Sequence, residues 1–290
     1  MIARRLAVLS LVVGLHLVAS QPIQAWGGLG HRLVGVIAAK RLTATARQNV
    51  AWLLDHQSLA DVSSWADRQV DANVQTSWWH YVNIPADAAG YNRDRDCPRQ
   101  PGVAAGARND RWRDCAVDRI LYEQERLADT TLDRADRATA LKYLIHFIGD
   151  LHQPFHALGV SRGGNDIQIG AFGVTNCSTD PARVSPCNLH GMWDSGLIGH
   201  RALDESQYLA ALERQIAAMG WDPARQQTGP AQWAEESFRV AKPALVAPNT
   251  NIDQRYYDTH IATVDRRLAH AGLRLAAVLN SIFIAPPPAR

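Results

Sequence analysis

Apolar residues recur at helical spacing along seven stretches of this chain, 43–56, 58–73, 114–128, 134–151, 204–219, 230–246 and 253–284. That periodicity restricts the fold more than any other feature, because each stretch needs an apolar surface to bury its face against. Strand is almost absent: the one good candidate runs from His80 to Ile84. The expected architecture is a single all-α domain. Two long stretches without period, 85–113 and 158–187, interrupt the helices. Cys97 lies in the first with Cys115 just beyond it, and Cys177 and Cys187 lie in the second.

The amino end has a different character. Arg4 and Arg5 precede an apolar run from Leu6 to Ala19, and Ile23-Gln24-Ala25 ends on a small residue. This order reads as a secretory signal peptide cleaved after Ala25. Gly14 and His16 interrupt a run shorter than the roughly 20 residues that span a bilayer, so a transmembrane helix is the weaker alternative. Cleavage leaves residues 26–290 as one domain, expected to be a monomer in the periplasm or outside the cell, with no stable membrane association. Of the 30 basic residues two are lost with the signal, so 28 remain against 28 acidic ones. A formally neutral chain is not built to grip duplex DNA by charge alone. Export also makes two disulfides plausible. Three pairings are open. Sequence order favours Cys97–Cys115 and Cys177–Cys187, and no close Cys-x-x-Cys pair supports a thiolate metal site.

Histidines and carboxylates carry the chemical signal. In His146-Phe-Ile-Gly-Asp150-Leu-His-Gln-Pro-Phe-His156 the first His and the Asp are four apart and share a helix face. Pro154 ends that helix, so His156 leaves on a redirected backbone. His190-Gly-Met-Trp-Asp194 repeats the four-residue spacing. Either pair alone reads as an ordinary helix ion pair; two of them point to metal ligation. Upstream, Ser64-Trp65-Ala66-Asp67 places a carboxylate on a helix, and Trp79-His80-Tyr81 places an imidazole on the strand candidate. By itself His80 would read as a core residue. Signal cleavage exposes Trp26-Gly-Gly-Leu-Gly-His31. A free α-amine and the carbonyl of the same residue can chelate one metal, and His31 could fold back to it across the Gly-rich turn.

Taken in order, these motifs resemble the S1/P1 nuclease family, from Trp26 to about Leu197, and the C-terminal helices suit its all-α fold. The resemblance implies three zinc ions in a cleft. Asp67, His80, His146 and Asp150 would hold the first, and His156, His190 and Asp194 the second. Trp26 and His31 would hold the third, with Asp150 bridging it to the first. It further implies hydrolysis of the P–O3′ bond of single-stranded DNA and RNA to 5′-nucleotides by a zinc-activated water, and removal of 3′-terminal phosphate from nucleotides. Protein general acids matter less when metals carry this chemistry.

The resemblance places Tyr81 as a stacking surface for an unpaired base, although a core role for it is equally compatible with the sequence. Asn83 stands where fungal members carry Asp; it can accept and donate hydrogen bonds but cannot take a proton. Asp87 is a nearby substitute. Arg68 follows Asp67 directly, a shift from the family's arginine. Asn165, in Ser161-Arg-Gly-Gly-Asn165, is a candidate substrate contact, and Phe155 and Phe172 are weaker ones. Zinc phospholipase C is the nearest alternative, but it carries Glu where this chain has Asp194. A zinc-sequestering protein would need closed coordination.

Overall fold

The computed structural model describes residues 26–99, 111–178, 183–220 and 228–288. Residues 1–25, the expected signal peptide, lie outside the described residues. In chain order the helices are α1 (Gly28–Ala39), α2 (Ala44–Leu53), α3 (Trp65–Ala72), α4 (Arg93–Asp96), α5 (Ala116–Ala128), α6 (Arg134–His152), α7 (Leu189–Gly191), α8 (Leu197–His200), α9 (Glu205–Met219), α10 (Pro230–Ala241) and α11 (Gln254–Ile282). The fold is all-α. Its only named strands among the described residues are β1 (Gly170–Ala171) and β2 (Asn251–Ile252), a two-residue parallel pair inside and beyond the second long loop.

Polar residues at the starts of the periodic stretches cap these helices. Thr43, Asp133, Asp204 and Asp253 each accept a hydrogen bond from a backbone N–H of the first turn, and Asp204 with Gln207 forms a reciprocal capping box. Each cap is worth about 1 kcal/mol. Helix α6 is the hub: from Leu144 to His152 every residue is buried. Helix α5 lies along it, α11 and α10 pack against it, and α1 packs against α11. A helix enclosed in this way cannot leave His146 or Asp150 to water, so their polar atoms must be satisfied inside the protein.

The structure departs from the periodic reading in four places. Residues 28–39 form α1 despite Gly28 and Gly30, because burial of Leu33, Val34, Ile37 and Ala38 outweighs the poor propensity of glycine. Residues 58–64 are turns closed by Asp61 N–H to Ser58 O and Trp65 N–H to Val62 O, so the helix begins only at Trp65. His80 is not on a strand. It ends a 3-10 helix, Val74–His80, and the following residues are extended. They run beside 156–159 through Val82 N–H to His156 O, Gly159 N–H to Ile84 O and a parallel bridge from Ile84 to Leu158. Finally, α10 stops at Ala241, because Pro243 cannot continue it as α-helix. Both favoured disulfides are present, Cys97–Cys115 and Cys177–Cys187.

Candidate metal centre

Six separate segments deliver His and Asp side chains to one buried wall. Asp67 comes from the first turn of α3 and His80 from the end of the 3-10 helix. His146 and Asp150 come from α6, and His156 from the short 3-10 turn that Pro154 opens. His190 and Asp194 come from α7 and the π-helical turn Met192–Gly196 that follows it. A π turn inside a helix is often found at a functional site. His31 arrives from the first turn of α1, so it reaches the wall by helix geometry and not by folding back across a turn. Its ring stacks on that of His146, with centroids 4.1 Å apart and planes 13° from parallel. That approach depends on Gly149, where a Cβ would lie 2.7 Å from His31 Nδ1.

The donor atoms fall into three groups, of which the first two share His146: Asp67, His80 and His146; His31, His146 and Asp150; and His156, His190 and Asp194. Cys97 and Cys115, close to Asp118, are no such group, since they are joined as a disulfide. Asp150 divides its two oxygens. Oδ1 lies 3.2 Å from His31 Nε2, while Oδ2 lies 3.0 Å from His80 Nδ1 and 3.3 Å from His146 Nε2. Asp67 Oδ1 lies 3.1 Å from His146 Nε2. In the third group His190 Nε2 is 3.4 Å from Asp194 Oδ2 and 3.1 Å from His156 Nε2.

The tautomers follow from backbone carbonyls, which can only accept. His146 Nδ1 donates to Ser63 O, His156 Nδ1 to His80 O and His190 Nδ1 to Gly163 O, each at 2.7 Å. In the neutral rings the Nε2 atoms therefore carry lone pairs. Those of His156 and His190 face one another at 3.1 Å. Neither oxygen of Asp150 receives a well-aligned N–H, and Asp67 Oδ1, both ring nitrogens of His31 and the indole nitrogen of Trp26 are likewise buried without a partner. Among these, the carboxylate oxygens and imidazole lone pairs that converge without satisfying each other call for a cation between them, whereas the Trp26 indole N–H is a donor only. Mixed His and carboxylate donors, with few groups per site, suit a catalytic divalent ion of the zinc type.

Electrostatics point the same way. Burial would raise the Asp150 carboxyl, but His146, His31 and His80 overcome it and hold it far below the carboxylate range. Burial would lower His146, but Asp150 and Asp67 reverse this and lift it to about 9. The carboxylates thus favour positive charge at the first group. In the third, burial lowers His156 and His190, the latter to about 3, and pushes Asp194 well up. These are desolvated donors with no charge of opposite sign among them. Gln153, buried between the ligand segments, donates its side-chain N–H to Asp194 Oδ1 and so aims that carboxylate.

The amino-terminal segment is anchored here too. Gly27 N–H donates to Asp194 O at 2.8 Å, and Trp26 is fully buried. Beside the wall lies a cleft of about 550 Å³ with His190 on its lining. Tyr81, Asn83 and Asn165 all line it. Along the extended segment Val82 and Ile84 are buried while Asn83 is exposed and Tyr81 half-buried, so Tyr81 belongs to the cleft side. Asn165 also donates its amide N–H to Arg162 O, holding its own loop. Phe155 reaches the cleft with an otherwise buried ring, whereas Phe172 stacks on His200 at 3.6 Å and is not on that lining. Exposed Arg68 bonds Ser64 O, and Asp87 lies near Arg95, so neither substitutes at the cleft. Trp78, Arg162 and Gln153 were not expected. The signals were present in Trp78-Trp79 before His80, in Ser161-Arg162-Gly and in His152-Gln153-Pro.

An all-α scaffold holding clustered His/Asp donors beside an aromatic-lined cleft has the residues of a site that could hold divalent metal ions next to a bound substrate. The family model S1/P1 Nuclease matches residues 26–284, and the chain belongs to that family. Endonuclease 2 of Arabidopsis thaliana is 29% identical to it over 300 residues, covering 96% of this chain and 98% of that one. Nuclease P1 of Penicillium citrinum is 28% identical, covering 89% and 97%. Nuclease S1 of Aspergillus oryzae is 27% identical, covering 93% and 96%. The chain is thus a nuclease. Among the described residues no helix is long and apolar enough to cross a membrane.

Proposed function

We propose that the chain is exported, that its mature form begins at Trp26, and that it is a zinc-dependent nuclease of single-stranded DNA and RNA. It cuts the P–O3′ bond to give 5′-nucleotides and removes 3′-terminal phosphate. The observation that carries this reading is the convergence of buried His and Asp donor atoms in three groups beside a cleft that offers an aromatic ring. Asp67, His80, His146 and Asp150 would hold one ion, and His156, His190 and Asp194 a second. His31, the α-amine and carbonyl of Trp26, and shared Asp150 would hold a third. Bound zinc supplies Lewis acidity, lowering the pKa of a water to about 7 and offsetting phosphate charge.

The chain's own residues do the rest. The carbonyls of Ser63, His80 and Gly163 fix which imidazole nitrogens face inward, and Gln153 orients Asp194. Tyr81 offers a base a ring face, an interaction worth about 1–3 kcal/mol that tolerates any base. A paired base would first have to leave its stack, which selects for unpaired strands. Asn83 can orient a phosphate or water by hydrogen bonding while carrying no proton. The decisive experiment measures zinc per mature chain by elemental analysis, together with acid-soluble nucleotides released from single- and double-stranded DNA. Close to three zinc ions with faster loss of single strands is expected. Fewer than two ions, or bound zinc without hydrolysis, refutes the proposal.

A further inference from the structure

We propose that Trp78 and Arg162 form a second nucleotide subsite on the cleft, so that the enzyme holds at least two consecutive nucleotides of a single strand. Trp78 takes the base next to the one on Tyr81, and Arg162 takes a backbone phosphate. This subsite rests on the nuclease reading above and adds the length of strand that is recognised.

Trp78 is 37% exposed, an unusual position for an indole, and it lines the cleft. It sits on the 3-10 helix Val74–His80, three residues before Tyr81, which follows that helix in extended backbone. The two ring centroids are 5.9 Å apart with planes tilted by 56°. Too tilted to sandwich one base, the rings present two adjoining faces. Trp79, the neighbour, is committed elsewhere: its indole N–H donates to Asp114 and the Arg119 guanidinium covers its ring at 4.1 Å. Exposed Val74 extends the same apolar side of the cleft.

Arg162 faces this shelf from a strained turn. Ser161, Arg162, Gly163 and Gly164 all have positive φ, at 47°, 52°, 64° and 83°. Two successive non-glycine residues in that region are rare and persist only where surrounding structure holds them. Here the hold is visible. Gly163 O accepts from His190 Nδ1, and a Cβ on Gly163 would meet Phe155 O at 2.6 Å. Asp166 N–H bonds Ser161 O, and the Asn165 amide bonds Arg162 O. The loop that orients His190 thereby projects Arg162 at the cleft. Among the described residues lining it, Arg162 is the one with a permanent positive charge, while Asp71 supplies a negative one. A phosphate is therefore favoured beside Arg162 and disfavoured near Asp71. The partner of Arg162, Asp166, is 3.3 Å away, with both side chains more than half exposed. Such a screened pair holds weakly, so an incoming phosphate can displace it.

The test compares a tetranucleotide with bis(4-nitrophenyl) phosphate, which has no base and no second phosphate, on the zinc-loaded mature enzyme. Trp78→Ala is expected to raise KM for the tetranucleotide about 5- to 150-fold, with KM for the small substrate changed by less than about twofold and recovery in Trp78→Phe. Arg162→Asn, chosen because Asn tolerates positive φ, should raise KM and flatten its dependence on salt by about 0.7 in log–log slope. Arg162→Lys should restore the slope. Tetranucleotide KM within twofold of the parent in both Trp78→Ala and Arg162→Asn, or equal losses on both substrates, overturns the subsite. A parent enzyme that hydrolyses bis(4-nitrophenyl) phosphate but no oligonucleotide sinks the nuclease reading itself, and the subsite with it.

Discussion

Replacing Asp150 by Asn changes one atom in a fully buried side chain. The volume is kept, so the effect reports on coordination and not on packing. Asp150 Oδ1 faces His31 and Oδ2 faces both His80 and His146. One of these oxygens becomes an NH₂ that can only donate, and the side chain loses its charge towards both groups. Removing even a supporting partner of a metal ligand costs about 10–100-fold. Two groups share this carboxylate, so two such factors multiply to roughly 10²–10⁴-fold in kcat/KM, or about 2.7–5.5 kcal/mol. Asp67 places one oxygen against one group, so Asp67→Asn should lose only about 10–100-fold. The assay pairs kcat/KM on single-stranded DNA with zinc content per chain. Zinc should fall by about two ions in Asp150→Asn, whose oxygens face His31 on one side and His80 with His146 on the other, and by about one in Asp67→Asn, which faces His146. Equal activity losses with unchanged zinc content in both variants would refute the sharing of Asp150.

Other outcomes follow from the same geometry. A protein that retains Ala25 ahead of Trp26 should lose one zinc ion and most activity, since the α-amine no longer exists; full activity in that protein removes Trp26 from the ligand set. Chelation should lower the melting temperature by more than about 10 °C, because each ion held at 100 times its Kd adds about 2.7 kcal/mol and 1 kcal/mol moves a domain of this size by about 2–4 °C; an unchanged melt would mean that the metals do not tie the segments together. Gly149→Ala should displace His31 and reduce zinc content while leaving the helical circular dichroism intact. Glu123 is buried against Arg126, and burial lifts its carboxyl from 4.5 to about 7. Between those values the folded chain binds more protons than the unfolded one, so stability falls as pH rises through that window. Glu123→Gln should flatten the slope in urea melts taken from pH 4.5 to 7.

Much of the site was legible because its spacing is local. His146 and Asp150 share a face by helix arithmetic, Pro154 ends α6 close to where expected, and the caps at Thr43, Asp204 and Asp253 mark their helices. The misreadings arose where tertiary contacts override local preference. Glycines at 28 and 30 look like a turn until α11 provides a surface for α1. His80 looks like a strand residue because the extended segment begins one residue later, where the backbone at 156–159 is available to pair with it.

By itself the amino-acid sequence determined the all-α class, the order of the His and Asp donors, and the family, because periodicity and spacing are written along the chain. Only the tertiary structure decided which donors meet. Asp150 divides its oxygens between groups, Ser63, His80 and Gly163 carbonyls turn the imidazoles inward, and Trp78 and Arg162 face one cleft. Each of these contacts joins residues from different elements. The direction of a ring nitrogen or a carboxylate oxygen is set by the partner it packs against, and no local pattern records that partner.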